Sequence, residues 1–203
     1  MTTERPFETD SIDYEILTRA VSLTKGVDGF ICEIGVRCGG ATKKIIDTLI
    51  SNNDNRLVIG IDPYGDIEYY GSDKGIHKGN YTNNLKRNFL KNIYELSLSE
   101  NIEYLFFPME DTEFFKRFSD GVPIYNNKKS LINSYSLVFV DGQHTTKAVL
   151  DTFEFFKDRI SKGGIMVFDD CYSYNHEEVH NSLINYNFEI MESSYYKKSY
   201  IKK

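Results

Sequence analysis

VFVDGQH, residues 138–144, and GGIMVFDD, residues 163–170, carry most of the information about the architecture of this chain. Each is a run of β-branched and aromatic residues that ends in carboxylates: Asp141 in the first segment, Asp169 and Asp170 in the second. Open α/β sheets bind ligands at the carboxyl ends of their strands, so we expect the three carboxylates to lie together at one edge. Like charges so close favour a hard divalent cation, and Mg²⁺ suits carboxylate ligands. The two segments therefore predict a parallel sheet with a magnesium site at its edge.

The composition is that of an ordinary globular protein. The 203 residues are enough for one domain with a full core, and we expect one. The net charge of -6 offers no basic surface to nucleic acid, and no segment approaches the ~20 apolar residues of a membrane span. The three cysteines lack CxxC spacing, which is typical of reduced thiols. We expect a cytoplasmic protein with neither a nucleic-acid partner nor a membrane span.

Hydrophobic periodicity predicts helices and strands in alternation. Residues 64–81, with four glycines, and the polar residues 119–134 have no regular period, and we interpret both as loops. The first is expected to be a lid, because long loops at such sheet edges often close over a ligand. Helices are predicted at residues 11–24, 41–50, 83–98, 113–118, 146–160 and 177–186, and strands at residues 29–36, 57–61, 102–107, 137–140, 165–168, 188–193 and 195–201.

This order of elements predicts an α/β fold of the Rossmann-like kind. We expect a three-layer sandwich with helices on both faces of a seven-stranded, mostly parallel sheet. The last two strands are joined by a short turn near Ser194, so they must form an antiparallel hairpin. We treat residues 1–203 as a single domain that begins with a helical segment over residues 1–28.

A glycine-rich turn follows the first strand in EIGVRCGG, residues 33–40. Gly35 and Gly39 permit a tight turn and a close approach of backbone to a ligand at a helix N-terminus. Arg37 stands where the dinucleotide fingerprint GxGxxG has its second glycine, which disfavours a pyrophosphate. Glu33 fits an amine-bearing ligand, and Asp62, after the second strand, can accept hydrogen bonds from ribose hydroxyls. The structural alternatives are an amide-bonded buried carboxylate for Glu33 and a cap or turn for Asp62.

Four motifs together resemble those of a known family: ExGxxxG after the first strand, IDP after the second, VDGxH after the fourth and GGxxVFDD at the fifth. Over residues 30–172 the chain is similar to class I S-adenosylmethionine-dependent methyltransferases, more narrowly the metal-dependent macrocin O-methyltransferase-like family. The C-terminal hairpin agrees with that fold. The resemblance implies that Glu33, Gly35 and Gly39 line the methionine end of S-adenosylmethionine. It also implies that Asp62 binds the ribose and that Met109 and Glu110 lie beside the adenine.

The same resemblance implies the reaction. Asp141, Asp169 and Asp170 would be the ligands of Mg²⁺ or another hard divalent cation, and Asp141 would also contact the cofactor. His144 would be the general base, which suits an imidazole that titrates near ~6.5. The acceptor would be a hydroxyl of a small polyhydroxylated molecule, a sugar or a glycosylated metabolite. Structural alternatives are a helix cap or surface position for His144 and a turn cap for one of the paired aspartates.

Two other functions fit parts of the sequence. Tyr125 and Lys129 have the YxxxK spacing of a nicotinamide-dependent reductase, but they lie in a polar segment without helical period, and we attribute the match to chance. A member that binds the cofactor without turnover is the third hypothesis. The intact carboxylates and His144 count against it.

Several aromatic side chains lie in the predicted loops. Tyr69, Tyr70, Tyr172 and Tyr174 could stack on a sugar ring, or pack on the domain or on a second subunit of a homo-oligomer. Three further histidines are expected to face solvent and have no assigned role: His77, His176 and His180.

Overall fold

The computed structural model describes residue 7 and residues 11–77 and 81–203 of the chain. The helices are α1 (Tyr14–Leu23), α2 (Gly40–Ser51), α3 (Asn83–Glu100), α4 (Asp111–Arg117), α5 (Thr146–Phe156) and α6 (His176–Asn185). The strands are β1 (Phe30–Ile34), β2 (Val58–Ile61), β3 (Tyr69–Ser72), β4 (Gly75–His77), β5 (Tyr104–Phe107), β6 (Val122–Asn126), β7 (Lys128–Ile132), β8 (Tyr135–Val140), β9 (Ile160–Phe168), β10 (Phe188–Ser193) and β11 (Lys198–Lys202).

Seven of these strands form one sheet in the order β10-β11-β9-β8-β1-β2-β5. The neighbouring strands β9, β8, β1, β2 and β5 all run parallel to one another. Strand β11 runs antiparallel to both of its neighbours, β9 and β10. The predicted mostly parallel, seven-stranded sheet with a C-terminal hairpin is therefore confirmed. The strands β1 and β8 lie side by side at its centre, with Ile34 opposite Val140, so the chain segments that follow them emerge together.

One face of the sheet is covered by α1 and α2. Leu17 and Val21 of α1 and Ile45 of α2 are fully buried in one apolar cluster with Ile31 and Leu137 from the strands. Side chains alternate between the faces of a strand, so Ile31 and every second residue after it point to this layer.

The opposite face packs against α4, α5 and α6. Phe114, Phe153 and Val179 come from these helices, and they share a buried cluster with Cys32 and Met166 from β1 and β9. Helices on both faces make the three-layer sandwich that the sequence predicts. Within the described ranges, no helix is both long and apolar enough to cross a membrane.

The two segments predicted as loops contain hairpins, so that part of the prediction was wrong. Strands β3 and β4 pair antiparallel within residues 64–81, and β6 and β7 pair antiparallel within residues 119–134. The residues of β7 are largely exposed. An exposed strand needs no alternation of apolar and polar residues, and this alternation is the pattern that identifies a half-buried strand in a sequence. Asn127, at the turn, has a left-handed backbone with φ of 60°, a conformation that asparagine tolerates.

The second hairpin also accounts for the YxxxK spacing. Tyr125 and Lys129 face each other as a cross-strand pair of β6 and β7, and Tyr125 is 75 % exposed. They do not lie on a helix, where a reductase would need the spacing, in agreement with a chance match.

Candidate active site

A cavity of about 1010 Å³ opens at the carboxyl ends of the central strands. Its walls include Gly35 after β1, Asp62 after β2, Asp141 and His144 after β8, and Asp170 after β9. The hairpin formed by β3 and β4 contributes a further wall. The structure thus brings the glycine turn and the aspartate segments to one site, as expected for ligand binding at this edge of an α/β sheet.

Gly35 allows the two central strand ends to touch. Its φ is +83°, and an added Cβ atom would lie 1.9 Å from the carbonyl oxygen of Asp141. Gly35 N–H donates to the carbonyl of Ile61, and Asp141 N–H donates to the carbonyl of Ile34, so both turns are fixed to the sheet. A glycine is required at position 35 because the backbone of Asp141 occupies the space that a side chain would need.

Asp62 ties the glycine turn to the second strand. Its Oδ2 accepts hydrogen bonds from the N–H groups of Val36 and Arg37, both at 2.9 Å, and its Oδ1 accepts one from Tyr64 N–H at 3.0 Å. Burial raises the pKa of Asp62, and these three backbone hydrogen bonds oppose the rise. The turn role that was the structural alternative is thus observed, although a carboxylate has capacity for further donors.

Glu33 is not brought to the cavity. It follows Ile31 on the face covered by α2, where its Oε2 accepts a hydrogen bond from Thr42 at 2.5 Å. Its Oε1 has no hydrogen-bond partner among the described residues. Burial raises the pKa of Glu33 well above its usual range. The alternation of the strand thus places this carboxyl outside the cavity lining, and its partners are the hydroxyl and the backbone N–H of Thr42.

Gly39 and Met109 also lie outside the cavity lining. Gly39 is the N-cap of α2 with φ of +80°, and a Cβ atom there would meet the ring of Phe89 at 2.8 Å. Met109 packs against the apolar cluster under α4 and α5. Its neighbours Glu110 and Asp111 line the cavity instead, and burial raises the pKa of Asp111. Of the two residues predicted beside adenine, Glu110 lines the cavity and Met109 does not.

His144 lies between two of the predicted metal ligands. Its Nδ1 is 3.2 Å from Oδ2 of Asp170, and its Nε2 is 3.5 Å from Oδ1 of Asp141. Nε2 is buried and has no hydrogen-bond partner in the described part of the chain. Thr145, whose hydroxyl accepts from Ala148 N–H, is the N-cap of α5, so His144 is not the helix cap.

The carboxylates around His144 change its pKa and that of Asp141. Burial raises the pKa of Asp141 to about 7, against the opposing contact with His144. Burial alone would lower the pKa of His144, but the contact with Asp141 and the charges of Asp170 and Asp169 raise it above the usual value. The contact between the two groups therefore favours the charged form of each.

Asp169 faces a different set of partners. Its Oδ1 accepts a hydrogen bond from the Lys197 ammonium at 2.7 Å, and its Oδ2 accepts one from the Ser11 hydroxyl at 2.7 Å. Sequence reasoning missed both Lys197 and Ser11, since nothing in a basic tail or a polar N-terminal segment marks a buried contact. Among the residues that the structure describes, no group of three or more His, Cys, Asp or Glu side chains is arranged to hold a metal ion.

Three non-glycine residues of the cavity have left-handed backbones: Arg37 at φ 47°, Tyr64 at φ 53° and Asp170 at φ 45°. Each such residue is held in a conformation that costs energy. The Tyr64 hydroxyl donates to the carbonyl of Arg37, which helps to hold the glycine turn. Rigid loops of this kind fix the positions of the groups that face a ligand.

The predicted aromatic residues are divided between the cavity and the core. Tyr69 and Tyr172 line the cavity, and Tyr172 stacks on Tyr195 with ring centroids 5.2 Å apart. Tyr70 is 54 % exposed outside the cavity lining. Tyr174 is buried, with its hydroxyl near the sulfur of Cys171, so it is not available for stacking on a ligand.

The expectation that His176 faces solvent was wrong. It is buried, with hydrogen bonds to the hydroxyls of Tyr174 at 3.2 Å and Tyr200 at 2.9 Å. Burial lowers the pKa of His176 to about 3, so it is neutral at physiological pH. His180 is half-buried and contacts the same Tyr200 hydroxyl, while the side chain of His77 lies outside the described residues.

The donor atoms at the cavity suit a hard cation in their chemistry. Asp141 and Asp170 supply carboxylate oxygens on either side of His144. The buried Nε2 atom of His144 has no hydrogen-bond partner among the described residues. Asp169, the third predicted ligand, is oriented by Lys197 and Ser11. The carboxylates have the chemistry expected for the predicted ion, but in the part of the chain that the structure describes His144, Asp141 and Asp170 do not form a group that could hold a metal.

Comparison with known proteins identifies the family. A family model described as a methyltransferase domain matches residues 32–171. The uncharacterized protein R132 of Acanthamoeba polyphaga mimivirus is 26% identical over 164 residues. That match covers 80% of this chain and 61% of R132, so the chain spans about three fifths of its curated relative.

Solved structures share the fold at low sequence identity. The O-methyltransferase NovP has a TM-score of 0.60 at 19% identity, covering 93% of this chain and 78% of NovP. CalS11, a TDP-rhamnose 3'-O-methyltransferase of calicheamicin biosynthesis, has a TM-score of 0.59 at 13% identity, covering 92% and 77%. An O-methyltransferase from Bacillus cereus in complex with SAH has a TM-score of 0.58 at 11% identity, covering 98% and 84%.

The family match includes the glycine turn, Asp62 and all three aspartates of the cavity. It counts against the nicotinamide-dependent reductase. With a matching domain over most of its length and the sheet of the solved neighbours, the chain belongs to the methyltransferase domain family, in agreement with its resemblance to class I S-adenosylmethionine-dependent methyltransferases.

Proposed function

We propose that this protein transfers the methyl group of S-adenosylmethionine to a hydroxyl of a small polyhydroxylated molecule, a sugar or a glycosylated metabolite, with the help of a divalent cation such as Mg²⁺. The observation that carries the proposal is the position of His144 between Asp141 and Asp170 in the cavity that Gly35 and Asp62 also line. The same cavity is then lined by a candidate base, by two carboxylates and by the glycine turn that resembles that of a methyltransferase.

His144 is proposed as the general base. Its Nδ1–H donates to Asp170 in the tautomer that leaves a lone pair on Nε2, and Nε2 is the buried atom without a hydrogen-bond partner among the described residues. An acceptor hydroxyl at Nε2 would give up its proton as its oxygen bonds to the methyl carbon. S-adenosylmethionine would supply the methyl group, and its sulfur would keep the electron pair of the carbon–sulfur bond that breaks.

Asp141 and Asp170 are the proposed principal ligands of the cation, with Asp169 beside them. A divalent cation held there would lower the pKa of the acceptor hydroxyl and orient its oxygen. It would also offset the repulsion among carboxylates, one of which, Asp141, has its pKa raised to about 7 by burial. The protein's own part is to hold the two carboxylates on rigid strand ends and to keep His144 between them.

The cofactor is proposed to occupy the part of the cavity between Gly35 and Asp111. Asp62 would add a hydrogen bond from a ribose hydroxyl to those it accepts from the backbone. Glu110 and Asp111, after β5, would accept from the amino group of adenine. A solved neighbour with the same fold is described as a complex with SAH, which supports this assignment.

The acceptor is proposed to enter under the hairpin of β3 and β4, which would act as a lid. Tyr69 and Tyr172 line the cavity and offer ring faces or edges to the C–H surface of a sugar. The neighbour CalS11 is described as a methyltransferase of TDP-rhamnose, which supports a sugar as the acceptor class.

The test combines cofactor binding with turnover. We expect S-adenosylhomocysteine to bind in calorimetry, and transfer of labelled methyl to one of a panel of nucleotide sugars to stop when EDTA is added. Asp141→Asn should leave the affinity for S-adenosylhomocysteine within a few-fold, and His144→Gln should lower kcat by about 10²–10⁴-fold, the usual range for a general base. Asp120→Asn, at an exposed position outside the cavity lining, is the matched control.

Two results would contradict the proposal. NADPH binding in place of S-adenosylhomocysteine would remove the cofactor assignment. Loss of cofactor binding together with turnover in Asp141→Asn would show that this carboxylate does not belong to the acceptor and cation side of the cavity.

A further inference from the structure

The helix α3 carries an apolar stripe on its outer side. Leu90, Tyr94 and Leu98 form this stripe, and they are 38 %, 65 % and 67 % exposed. They are spaced four residues apart along the helix, so they lie one above another on the same face. Single apolar side chains are normal on a protein surface, but a contiguous line of large ones is typical of a surface that binds a partner.

The stripe is not what holds α3 on the domain. Phe89 and Ile93, on the inner side of the helix, are buried in an apolar cluster with Ile46 of α2. The ring of Phe89 also packs edge-on against the rings of Tyr104 and Phe106 in β5. A surface helix needs one apolar face for its own domain, and α3 has two. The outer face is thus left for a contact with another molecule.

The charges beside the stripe are divided between the two halves of α3. Lys86, Arg87 and Lys91 lie in the first half, and Glu95 and Glu100 lie in the second. This order opposes the helix dipole, whose positive end is at the N-terminus, so it does not stabilise α3 by itself. A helix with a basic first half and an acidic second half is complementary to a second copy of itself that runs in the opposite direction.

We propose that the outer face of α3 is an interface between two copies of this chain, which pair with their α3 helices antiparallel about a two-fold axis at Tyr94. In this arrangement Tyr94 meets Tyr94 of the second copy, and Leu90 lies level with Leu98 of the second copy. The apolar stripe therefore covers itself, with a tyrosine pair at its centre, and tyrosine is enriched at the cores of interfaces. A parallel arrangement would instead place the two basic halves together and the two acidic halves together.

Two pairs of opposite charges flank the stripe in the antiparallel arrangement. Lys91 and Glu95 of the second copy lie on one side of it, and Lys86 and Glu100 of the second copy lie on the other. The members of each pair are offset along the helix by about 3 Å, the rise of two residues. The two-fold axis repeats both pairs. Arg87 lies level with the uncharged asparagine that caps α3 in the second copy. The charges of α3 thus meet opposite charges or none.

The proposed interface leaves the cavity open. Leu85 lines the cavity, and it precedes Tyr94 by about two and a half helical turns, so the two side chains lie on opposite sides of α3. Cofactor binding should therefore be independent of pairing. The 18 residues of α3 span about 27 Å, and one helix pair covers less than the ~1,600 Å² of a standard interface. We therefore expect a dimer that dissociates in the micromolar range.

The experiment measures sedimentation velocity of the full chain from about 1 to 200 µM, a range that brackets a Kd on the order of 10 µM. We expect a reversible shift from a monomer of 23.5 kDa to a dimer. Tyr94→Glu should raise the Kd by about 100-fold or more, because it places two like charges at the centre of the interface. Tyr125→Glu, the same change at a tyrosine that is 75 % exposed on β6, is the matched control and should alter the Kd by less than about 2-fold.

A second arm tests the direction of the helices. Lys91→Glu or Glu95→Lys alone should raise the Kd by about 10-fold, because each puts like charges opposite one another twice in a symmetric dimer. An equimolar mixture of the two single variants should pair with a Kd within about 3-fold of the unmodified protein, since every charge then meets its opposite on the other copy. Contacts within one helix cannot give this recovery, because no copy in the mixture carries both changes.

Several outcomes would overturn the proposal. A chain that remains monomeric over the whole concentration range would leave the stripe to a partner of another kind. A dimer that survives Tyr94→Glu would use another surface, and species that keep growing beyond a dimer would not have a closed two-fold interface. A mixture that pairs no better than the single variants would exclude the antiparallel arrangement.

Folding and cofactor binding are followed separately. Circular dichroism and S-adenosylhomocysteine binding should be unchanged in Tyr94→Glu, since the changed residue is exposed and lies opposite the cavity. If Tyr94→Glu does not fold, Leu98→Lys carries the same test, because lysine is favoured near a helix C-terminus and would face the basic half of the second copy. A chain that forms the dimer and yet fails to bind S-adenosylhomocysteine would contradict the proposed function and leave the interface in place.

Discussion

At the scale of single residues, the contact between Gly35 and Asp141 joins the two halves of the cavity. Gly35 belongs to the turn on the proposed cofactor side, and Asp141 belongs to the proposed cation side. An added Cβ atom at Gly35 would lie 1.9 Å from the carbonyl oxygen of Asp141, a distance that only a backbone shift could relieve. The glycine that resembles a cofactor-binding signature thus has a packing reason of its own.

Gly35→Ala should be much more destabilising than the same change at Gly26. Both glycines have φ of +83°, but nothing lies within 4 Å of a Cβ atom at Gly26. Gly26→Ala should cost about 1–2 kcal/mol for the left-handed backbone, and Gly35→Ala at least about 2 kcal/mol more for the clash. Urea unfolding of both variants measures the free energy of unfolding, and equal losses would contradict the assigned contact.

At the scale of elements, the hairpin of β3 and β4 is fastened across the cavity by Asp73 at its turn. Asp73 Oδ1 accepts from Thr146 N–H at 2.8 Å, and Oδ2 accepts from the Thr146 hydroxyl at 2.6 Å and from Asn175 N–H at 3.3 Å. Asp73 N–H donates to the carbonyl of Ser173. The hairpin is thereby connected to the start of α5 and to the segment after β9, the two segments that carry the candidate catalytic groups.

Asp73→Ala should loosen this hairpin without unfolding the protein. Because the contact is exposed, we expect amide hydrogen exchange in β3 and β4 to rise only about 2- to 5-fold, together with faster release of S-adenosylhomocysteine. Asp66→Asn, in the same segment, is the control. Unchanged exchange in Asp73→Ala would mean that the hairpin is held by other contacts.

The same contact has a defined response to pH. The hydrogen bond from the Thr146 hydroxyl lowers the pKa of Asp73 below its ordinary value of 3.8. A carboxyl with a depressed folded pKa contributes stability above its unfolded pKa, and the contribution is lost as pH falls through the lower folded value. The protection of the hairpin should therefore persist at neutral and mildly acidic pH and decline only below about 4, the range of an unperturbed aspartate.

At the scale of the whole molecule, one sheet supports every part of the candidate site. The central strands β1 and β8 carry the glycine turn and Asp141, β9 carries Asp169 and Asp170, and the C-terminal hairpin places Lys197 against Asp169. Helices on both faces bury this sheet in extended apolar clusters. The cavity is therefore lined by segments from the turn after β1 to Tyr196, in the turn before β11.

Because of this architecture, S-adenosylhomocysteine should stabilise the chain as a unit. At 100 times its Kd a ligand that binds only the folded state adds about 2.7 kcal/mol, which for a protein of this size raises Tm by roughly 5–10 °C. Calorimetry should record one transition that moves as a whole. Two transitions, of which only one moves, would contradict the single-domain assignment.

Periodicity and chain order were enough to predict the large elements and their arrangement. The runs that became β1, β8 and β9 are buried on both faces and read as continuous apolar strands, and the right-handed crossover rule then leaves few sheet topologies. The hairpins β3–β4 and β6–β7 were missed because β3 is only half-buried and β7 is largely exposed, so no apolar alternation marks them. His176 was misjudged because a polar side chain on a helix gives no sign of burial.

By itself, the amino-acid sequence determined the seven-stranded sheet, the family resemblance and the meeting of Asp141, His144 and Asp170 at one edge, because strand ends in a parallel sheet are neighbours whatever their loops do. Only the tertiary structure decided the direction of individual side chains. Glu33 turns toward Thr42 and Asp169 turns toward Lys197, and each of these orientations depends on a partner that is distant in the chain and brought near by packing. Such pairings follow from three-dimensional proximity, which local sequence patterns do not encode.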